Sequence, residues 1–210
     1  MNEFKNSVLV LANGEFPSHD LALDHLKESR KIICTDGAAD KLDAFGKNPD
    51  VIIGDFDSTK IQKLDRKNLW IEAPDQNKTD LEKTFEWCIQ KQIKKITLLG
   101  AGGEREDHLL GNLFIVSKFY NELDIEIITN YSKIICVKGS KLIKSQINQN
   151  ISIIASEFVE NIKVFGLKYS LVNEELTPSA MAISNQALSN QFSIESTGKV
   201  FVFLNHIKIK

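Results

Sequence analysis

Short apolar runs alternate with helical patterns up to about residue 130, and this alternation restricts the possible folds more than any other feature. The runs are Val8–Leu11, Lys31–Cys34, Val51–Ile53, Leu69–Glu72, Ile96–Leu99 and Ile125–Thr129. Helical periodicity fills the gaps near 19–29, 37–45, 59–68, 79–92 and 106–122. Such alternation predicts an α/β architecture, a mostly parallel sheet with helices on both faces. The gaps are long enough for crossover helices. Two helices are specified in detail. Thr79-Asp80-Leu81-Glu82 reads as a capping box, with Thr79 at N-cap and Glu82 at N3. Leu81, Phe85, Cys88 and Ile89 then follow as a core-facing stripe. The last helix carries Leu109, Leu113, Val116 and Tyr120 on one face, with Leu110 and Phe114 beside them.

Beyond residue 130 the pattern changes. Strand-like runs recur at Ile134–Val137, Lys141–Ser145, Ile151–Ser156, Ile162–Val164, Met181–Ser184, Phe192–Glu195 and Val200–Leu204. Asn, Ser and Gly punctuate them and no amphipathic helix intervenes, so a C-terminal all-β sandwich or roll is expected. The boundaries expected from this change are 1–130 for an α/β domain and 131–210 for a β domain. No Pro- or Gly-rich linker separates them.

Composition narrows the function classes. The formal charge is -2 over 210 residues, and acids and lysines are interspersed. Nothing here suggests a nucleic-acid-binding surface. Cys34, Cys88 and Cys136 are odd in number and form no CxxC pair, so buried reduced thiols are expected rather than disulfides or zinc. No apolar run reaches the ~20 residues of a membrane helix. Residues 1–5 lack the charged and apolar regions of a signal peptide. A cytoplasmic location is the expectation.

Three polar clusters follow strand-like runs. Gly54-Asp55-Phe56-Asp57-Ser58 places two carboxylates at i and i+2, where extended backbone points both the same way. An acidic turn with Ser58 capping the next helix is the plainer account of those residue types. Hard oxygen donors at the carboxyl edge of a sheet nevertheless suit Mg²⁺ held together with substrate phosphates. Asp75-Gln76-Asn77-Lys78-Thr79-Asp80 comes next. Asp80 there can complete an acidic set with Asp55 and Asp57, or simply complement the helix dipole. Lys78 can balance phosphate charge or lie in solvent. The third cluster, Gly100 to His108, combines Gly100, Gly102 and Gly103 with Arg105, Asp107 and His108, and Asn112 lies one turn on. Arg105 offers a donor fork suited to phosphate. The loop is neither a Walker A nor a dinucleotide fingerprint. Thr35-Asp36-Gly37-Ala38 is another polar strand exit of the same type.

Taken in order, these segments closely resemble the thiamin pyrophosphokinase family, as does the change from α/β to all-β. The resemblance covers essentially the whole chain and is most specific in the first half. It implies Mg²⁺-dependent transfer of pyrophosphate from ATP to thiamin, giving thiamin diphosphate and AMP, by a homodimer. By the same resemblance Asp55, Asp57 and Asp80 would hold Mg²⁺ and act in catalysis with Asp107. Asp36, Gly37, Asp75, Lys78, Thr79, Gly100, Gly102, Gly103, Arg105, His108 and Asn112 would line the nucleotide site. Gln76, Ser184 and Asn185 would meet thiamin, the last two from the partner subunit. Catalysis would fall to 1–130, thiamin binding and dimerisation to 131–210. Some family members press a Trp of the β domain on thiamin. Here Trp70 and Trp87 both lie in the first half, so the packing side chain is open.

Two other readings stay in view. Asp55-Phe56-Asp57-Ser58-Thr59 also fits the DxDxT start of haloacid-dehalogenase-like phosphohydrolases, in which Asp55 would be a nucleophile. The later chain lacks that family's GDGxxD-like motif. A non-catalytic nucleotide sensor is the third reading.

Overall fold

The computed structural model describes residues 7–55 and 69–207. Asp57, Ser58 and the helix expected over 59–68 lie outside the described residues. The chain divides into two compact units, Met1–Asn130 and Tyr131–Lys210.

In the first unit the elements are β1 (Val8–Leu11), α1 (Asp20–Glu28), β2 (Ile32–Thr35), α2 (Ala38–Ala44), β3 (Val51–Gly54), β4 (Leu69–Glu72), α3 (Asp80–Gln90), β5 (Lys95–Leu99), α4 (Glu106–Lys118) and β6 (Asp124–Ile128). The strands pair in the order β6-β5-β1-β2-β3-β4, every pair parallel. β1, β2 and β3 are buried along their whole length, as a sheet covered on both faces requires. On one face Leu9, Leu11, Cys34 and Ile52 form a core with Ala22 and Leu26 of α1 and with Ala38, Ala39 and Leu42 of α2. On the other, α3 lies against β2 and β3 and beside α4, where the Phe85 and Phe119 rings meet edge to face at 5.6 Å. α/β chemistry and helical coverage thus follow from the apolar periods alone.

The helix termini add detail. Thr79 caps α3 by accepting from the Glu82 N–H at 3.2 Å. Glu82's carboxylate accepts instead from Lys118 Nζ on α4, at 2.7 Å, so the box is used in one direction and the acid ties two helices together. His19 caps α1 by accepting from the Leu21 N–H. α4 stops at Lys118, short of the expected 122, and its Leu110 and Phe114 are exposed. Its buried side keeps Leu113 and Val116 of the expected face and adds Ile115 and Ser117.

The second unit is all β. Its strands are β7 (Ser132–Lys144), β8 (Asn150–Ala155), β9 (Val159–Phe165), β10 (Leu171–Leu176), β11 (Asn185–Gln186) and β12 (Gln191–Asn205). β7 and β12 form one long antiparallel ribbon, irregular between Ser196 and Val200. Before that break β12 also pairs with β9, after it with β8. One strand therefore serves two sheet layers by bending, a known way to turn a sandwich corner. Four expected runs merge here into two strands, because Gly139 and Gly198 mark a bend inside a strand rather than its end. Between the layers lie Phe192, Ile194, Val200, Val202 and Leu204 of β12 with Ile135, Val137, Ile151 and Ile153. β10 was not anticipated, since its Val-Asn-Glu-Glu interior is exposed edge. Met181–Ser184 is a turn rather than the expected strand, closed by the Ile183 N–H donating to Ala180 O.

These assignments separate two kinds of stability loss. Phe85→Ala, at a fully buried ring, is expected to cost ~3–5 kcal/mol. Thr79→Ala is expected to cost ~1 kcal/mol through the lost cap. Denaturant unfolding of both variants checks the ranking, and equal losses would contradict the packing described.

Candidate active site

The crevice sits where the strand order reverses. β1 is followed outward by β2, β3 and β4 on one side and by β5 and β6 on the other, so the chain leaves β1 and β5 toward helices on opposite faces. Ligands of open α/β sheets bind at this position. The two loops run together as an extension of the sheet. Ala12 N–H donates to Leu99 O at 2.9 Å, Gly14 to Gly100 at 2.8 Å and Glu15 to Gly102 at 2.7 Å. A side chain at Gly14 would sit 2.7 Å from the Gly102 carbonyl, and Gly100 has φ +67°. Both positions therefore require glycine.

A cleft of about 480 Å³ opens there. One wall is the β1 exit, Ala12-Asn13-Gly14, and another is Ala101-Gly102 after β5. Thr79, Asp80 and Leu81 bring the amino terminus of α3 to it, and Arg105, Asp107 and His108 bring that of α4. Two helix starts facing one cavity supply partial positive charge and unpaired N–H groups, a favourable setting for phosphate.

The expected residues divide by position. Thr79, Asp80, Gly102, Arg105, Asp107, His108 and Asn112 line the cleft together, and Gly100 and Gly103 shape its rim through positive φ. Asn112 Nδ2 donates to Ala101 O at 2.7 Å, fastening α4 to the glycine loop. Arg105 forks onto Asp107, with Nε at 3.1 Å and an Nη at 2.6 Å. This contact holds the Asp107 carboxyl below its usual range and raises the Arg105 guanidinium. Both side chains are solvent-exposed, so the fork can open for another anion at little cost.

The acidic edge is built around Gly54. A side chain there would meet the Asp36 Cβ at 2.6 Å and Asp80 Oδ2 at 3.3 Å, so these two carboxylates flank the end of β3. Asp36 is 1% exposed. Asp55 follows Gly54 and accepts from Gln76 Nε2 at 2.9 Å, which links the first and second clusters. Asp75 is lowered from its usual range, chiefly by the Asn77 backbone N–H. Lys78 is gripped by both oxygens of Glu86, at 2.7 and 2.9 Å, and its charge is directed along α3. Among the described residues, no three acidic, His or Cys side chains are gathered as a complete metal cage; Asp57 lies outside them.

Four contributors were not anticipated. Asn13 and Gly14 leave β1, and Asn13 lies against Gly37; an Asn-Gly pair after an apolar run was a readable signal. Lys41 bridges the loops, donating to Gly14 O at 2.7 Å and to Glu104 Oε1 at 2.6 Å. Lys83, buried on α3, pairs with Asp80 Oδ1 at 3.1 Å. No sequence signal distinguishes these lysines from surface ones.

In the second unit, Ser184 and Asn185 differ sharply. Asn185 is 6% exposed and three of the four hydrogen-bonding positions of its carboxamide are taken. Oδ1 accepts from Tyr169 N–H at 3.0 Å and Gln186 N–H at 2.8 Å, while Nδ2 donates to Tyr169 O at 2.7 Å. Ser184 has φ +57°, is exposed, and its N–H donates to Ser152 Oγ at 3.0 Å. A non-glycine residue held at positive φ marks a constrained turn. Tyr169, bracketed by Asn185, is 63% exposed. The three cysteines are buried and free, and burial pushes the Cys88 thiol up to about 12, which makes it inert.

Comparison with known proteins accords with this geometry. Residues 23–129 match the model of the thiamin pyrophosphokinase catalytic domain. Thiamine pyrophosphokinase of Bacillus subtilis is 30% identical over 167 residues, covering 74% of this chain and 77% of that protein. Thiamin pyrophosphokinase 1 of Caenorhabditis elegans is 26% identical over 214 residues, covering 92% of this chain and 87% of that protein. The crystal structure of the Bacillus subtilis thiamine pyrophosphokinase shares the fold, with TM-score 0.81 at 24% identity, over 97% of this chain and 100% of that one. With the family model spanning residues 23–129 and a 30%-identical relative matched over most of both chains, the chain belongs to the thiamin pyrophosphokinase family.

Proposed function

We propose that this chain transfers the pyrophosphoryl group of ATP to the hydroxyl of thiamin, giving thiamin diphosphate and AMP. The single observation that carries this reading is the cleft at the β1 and β5 exits. There two helix amino termini, two glycine-containing loops and Arg105 face the carboxylates at the end of β3. A cavity so built suits a polyphosphate. ATP occupies it with its phosphates toward the α3 and α4 starts and Arg105, which exchanges Asp107 for phosphate oxygens. Gly100, Gly102 and Gly103 admit close approach of the nucleotide, flanked by His108 and Asn112. Asp36, Gly37, Asp75, Lys78 and Thr79 complete its surroundings.

The donor chemistry fits Mg²⁺. This ion takes only one or two protein carboxylates, with phosphates and water supplying the rest, so an incomplete acidic cage is the appropriate one. Asp55, Asp57 and Asp80 would hold it. When bound, the ion supplies Lewis-acid charge neutralisation and a template for the phosphates. The protein's own part is to align the alcohol with the β-phosphorus and balance charge, because phosphoryl transfer leaves it little covalent work.

For thiamin, Gln76 approaches from the acidic edge. The second unit contributes the Ser184 turn and the Tyr169 ring, delivered by the partner of a homodimer. Asn185 also fixes the Tyr169 backbone that carries this ring. A cytoplasmic setting goes with this reading; among the described residues, no helix is long and apolar enough to cross a membrane. The phosphohydrolase and sensor readings gain no support from the family match.

Incubation with Mg-ATP and thiamin is expected to yield AMP and thiamin diphosphate in equal amounts; ADP in place of AMP would reject pyrophosphoryl transfer. Arg105→Ala is expected to raise the ATP KM by ~10- to 100-fold, the value of charge-assisted hydrogen bonds worth ~1.5–3 kcal/mol. An unchanged ATP KM would remove Arg105 from the site. Tyr169→Ala should raise the thiamin KM by ~2- to 10-fold, as a stacking contact of ~0.5–1.5 kcal/mol implies, and leave the ATP KM unaltered. Steady-state kinetics with each substrate varied in turn reads both.

A further inference from the structure

Lys83 contradicts two local preferences at once. It lies one turn into α3, where the helix dipole opposes a cation. It is also 7% exposed, so its ammonium has given up most of its hydration, a loss that only close pairing offsets. The partner is Asp80, with Nζ 3.1 Å from Oδ1. Both residues sit in the same helix, three positions apart, so the pair ties no distant elements together. α3 is already capped by Thr79 and already buried through Leu81, Phe85 and Cys88. An apolar side chain at 83 would serve folding as well or better.

What the pair does accomplish is orientation. With Oδ1 on Lys83, Asp80 turns its other oxygen to the end of β3, where a side chain on Gly54 would lie 3.3 Å from Oδ2. Thr84 Oγ1 donates to the Asp80 carbonyl at 2.7 Å, which steadies the same residue from its backbone. Asp36 lies against the same point, its Cβ 2.6 Å from where a Gly54 side chain would begin.

We propose that Lys83 is a positioning residue for the transfer reaction: its buried ammonium grips Asp80 Oδ1, so that Oδ2 is presented at the end of β3 toward the Mg²⁺–triphosphate. The proposal rests on the function assigned above. Lys83 touches neither metal nor substrate in this role and acts only through Asp80.

The test uses the full chain with Mn²⁺ as a spectroscopic probe and a non-hydrolysable ATP analogue, read by electron paramagnetic resonance, alongside Mg²⁺ activation kinetics. Lys83→Met is expected to weaken Mn²⁺ binding by ~10- to 100-fold, the usual effect of losing an outer partner of a metal ligand. The half-saturating Mg²⁺ should rise in parallel while the thiamin KM stays put. Lys83→Arg should recover most of the loss. In an Asp80→Asn background, Lys83→Met should add nothing. Wild-type Mn²⁺ affinity in folded Lys83→Met, or a further loss in the Asp80→Asn background, overturns the proposal. If Lys83→Met does not fold, Lys83→Gln is read by the same criteria. Failure of the native chain to form AMP from Mg-ATP and thiamin would instead reject the assigned function, whatever Lys83 does to Mn²⁺ binding.

Discussion

The parallel pairing of β1 with β2 on one edge and β5 on the other sets the position of every other functional part. Because chain order reverses there, the chain leaves β1 and β5 toward helices on opposite faces, and a crevice is left at their exits. Three backbone hydrogen bonds continue the β1–β5 register beyond the strands, so the crevice wall is as rigid as the sheet. Glycine is needed on both loops, since Gly14 and Gly100 leave no room for side chains. The helices that follow β4 and β5 then begin at the same edge. Their amino termini point into the crevice without further specification.

Such an edge gathers positive potential from the helices and negative charge from Asp36, Asp55 and Asp80. Three acids at this edge are paired in different ways. Asp55 is hydrogen-bonded by Gln76, Asp80 by buried Lys83, and Asp107 by exposed Arg105. These contacts differ in how readily they yield. The Arg105–Asp107 fork stands in water, where such a pair gains little and opens easily. The Lys83–Asp80 pair is shielded from water on the lysine side, and breaking it would leave a charge stranded. A site that must release one contact and keep another is served by that difference.

Much of this was legible in the residues. Thr79 and the Leu81–Phe85–Cys88 stripe announced α3 with its N-cap. Apolar runs announced all six strands of the first unit, and the glycine–Arg–Asp–His order announced the α4 end of the cleft. The rest failed for physical reasons. β7 and β12 were read as two strands each, because a bend rich in Gly and Ser looks like a strand end when pairing partners are unknown. β10 escaped because an exposed edge needs no alternation of apolar residues. Leu113 and Val116 of the predicted α4 face are buried, but Leu110 and Phe114 beside it are exposed, because the rotation of α4 turns Ile115 inward. The hydrogen bonds that Asn185 makes to the backbone of Tyr169 and Gln186 had no signal in the sequence.

By itself the sequence determined the element types, the change from α/β to all-β, the acidic and glycine clusters at strand exits, and through their order the family. Those properties are local, set by side-chain period, turn chemistry and capping. Only the tertiary structure decided which lysines matter, which oxygen of Asp80 faces the strand end, and which half of β12 belongs to which layer. Each of these depends on groups distant in the chain coming within a few ångströms, and on which of them are stripped of water when they do. Burial turns Lys83 from one cation among many into the partner of a particular carboxylate, and spacing along the chain has no means of expressing that.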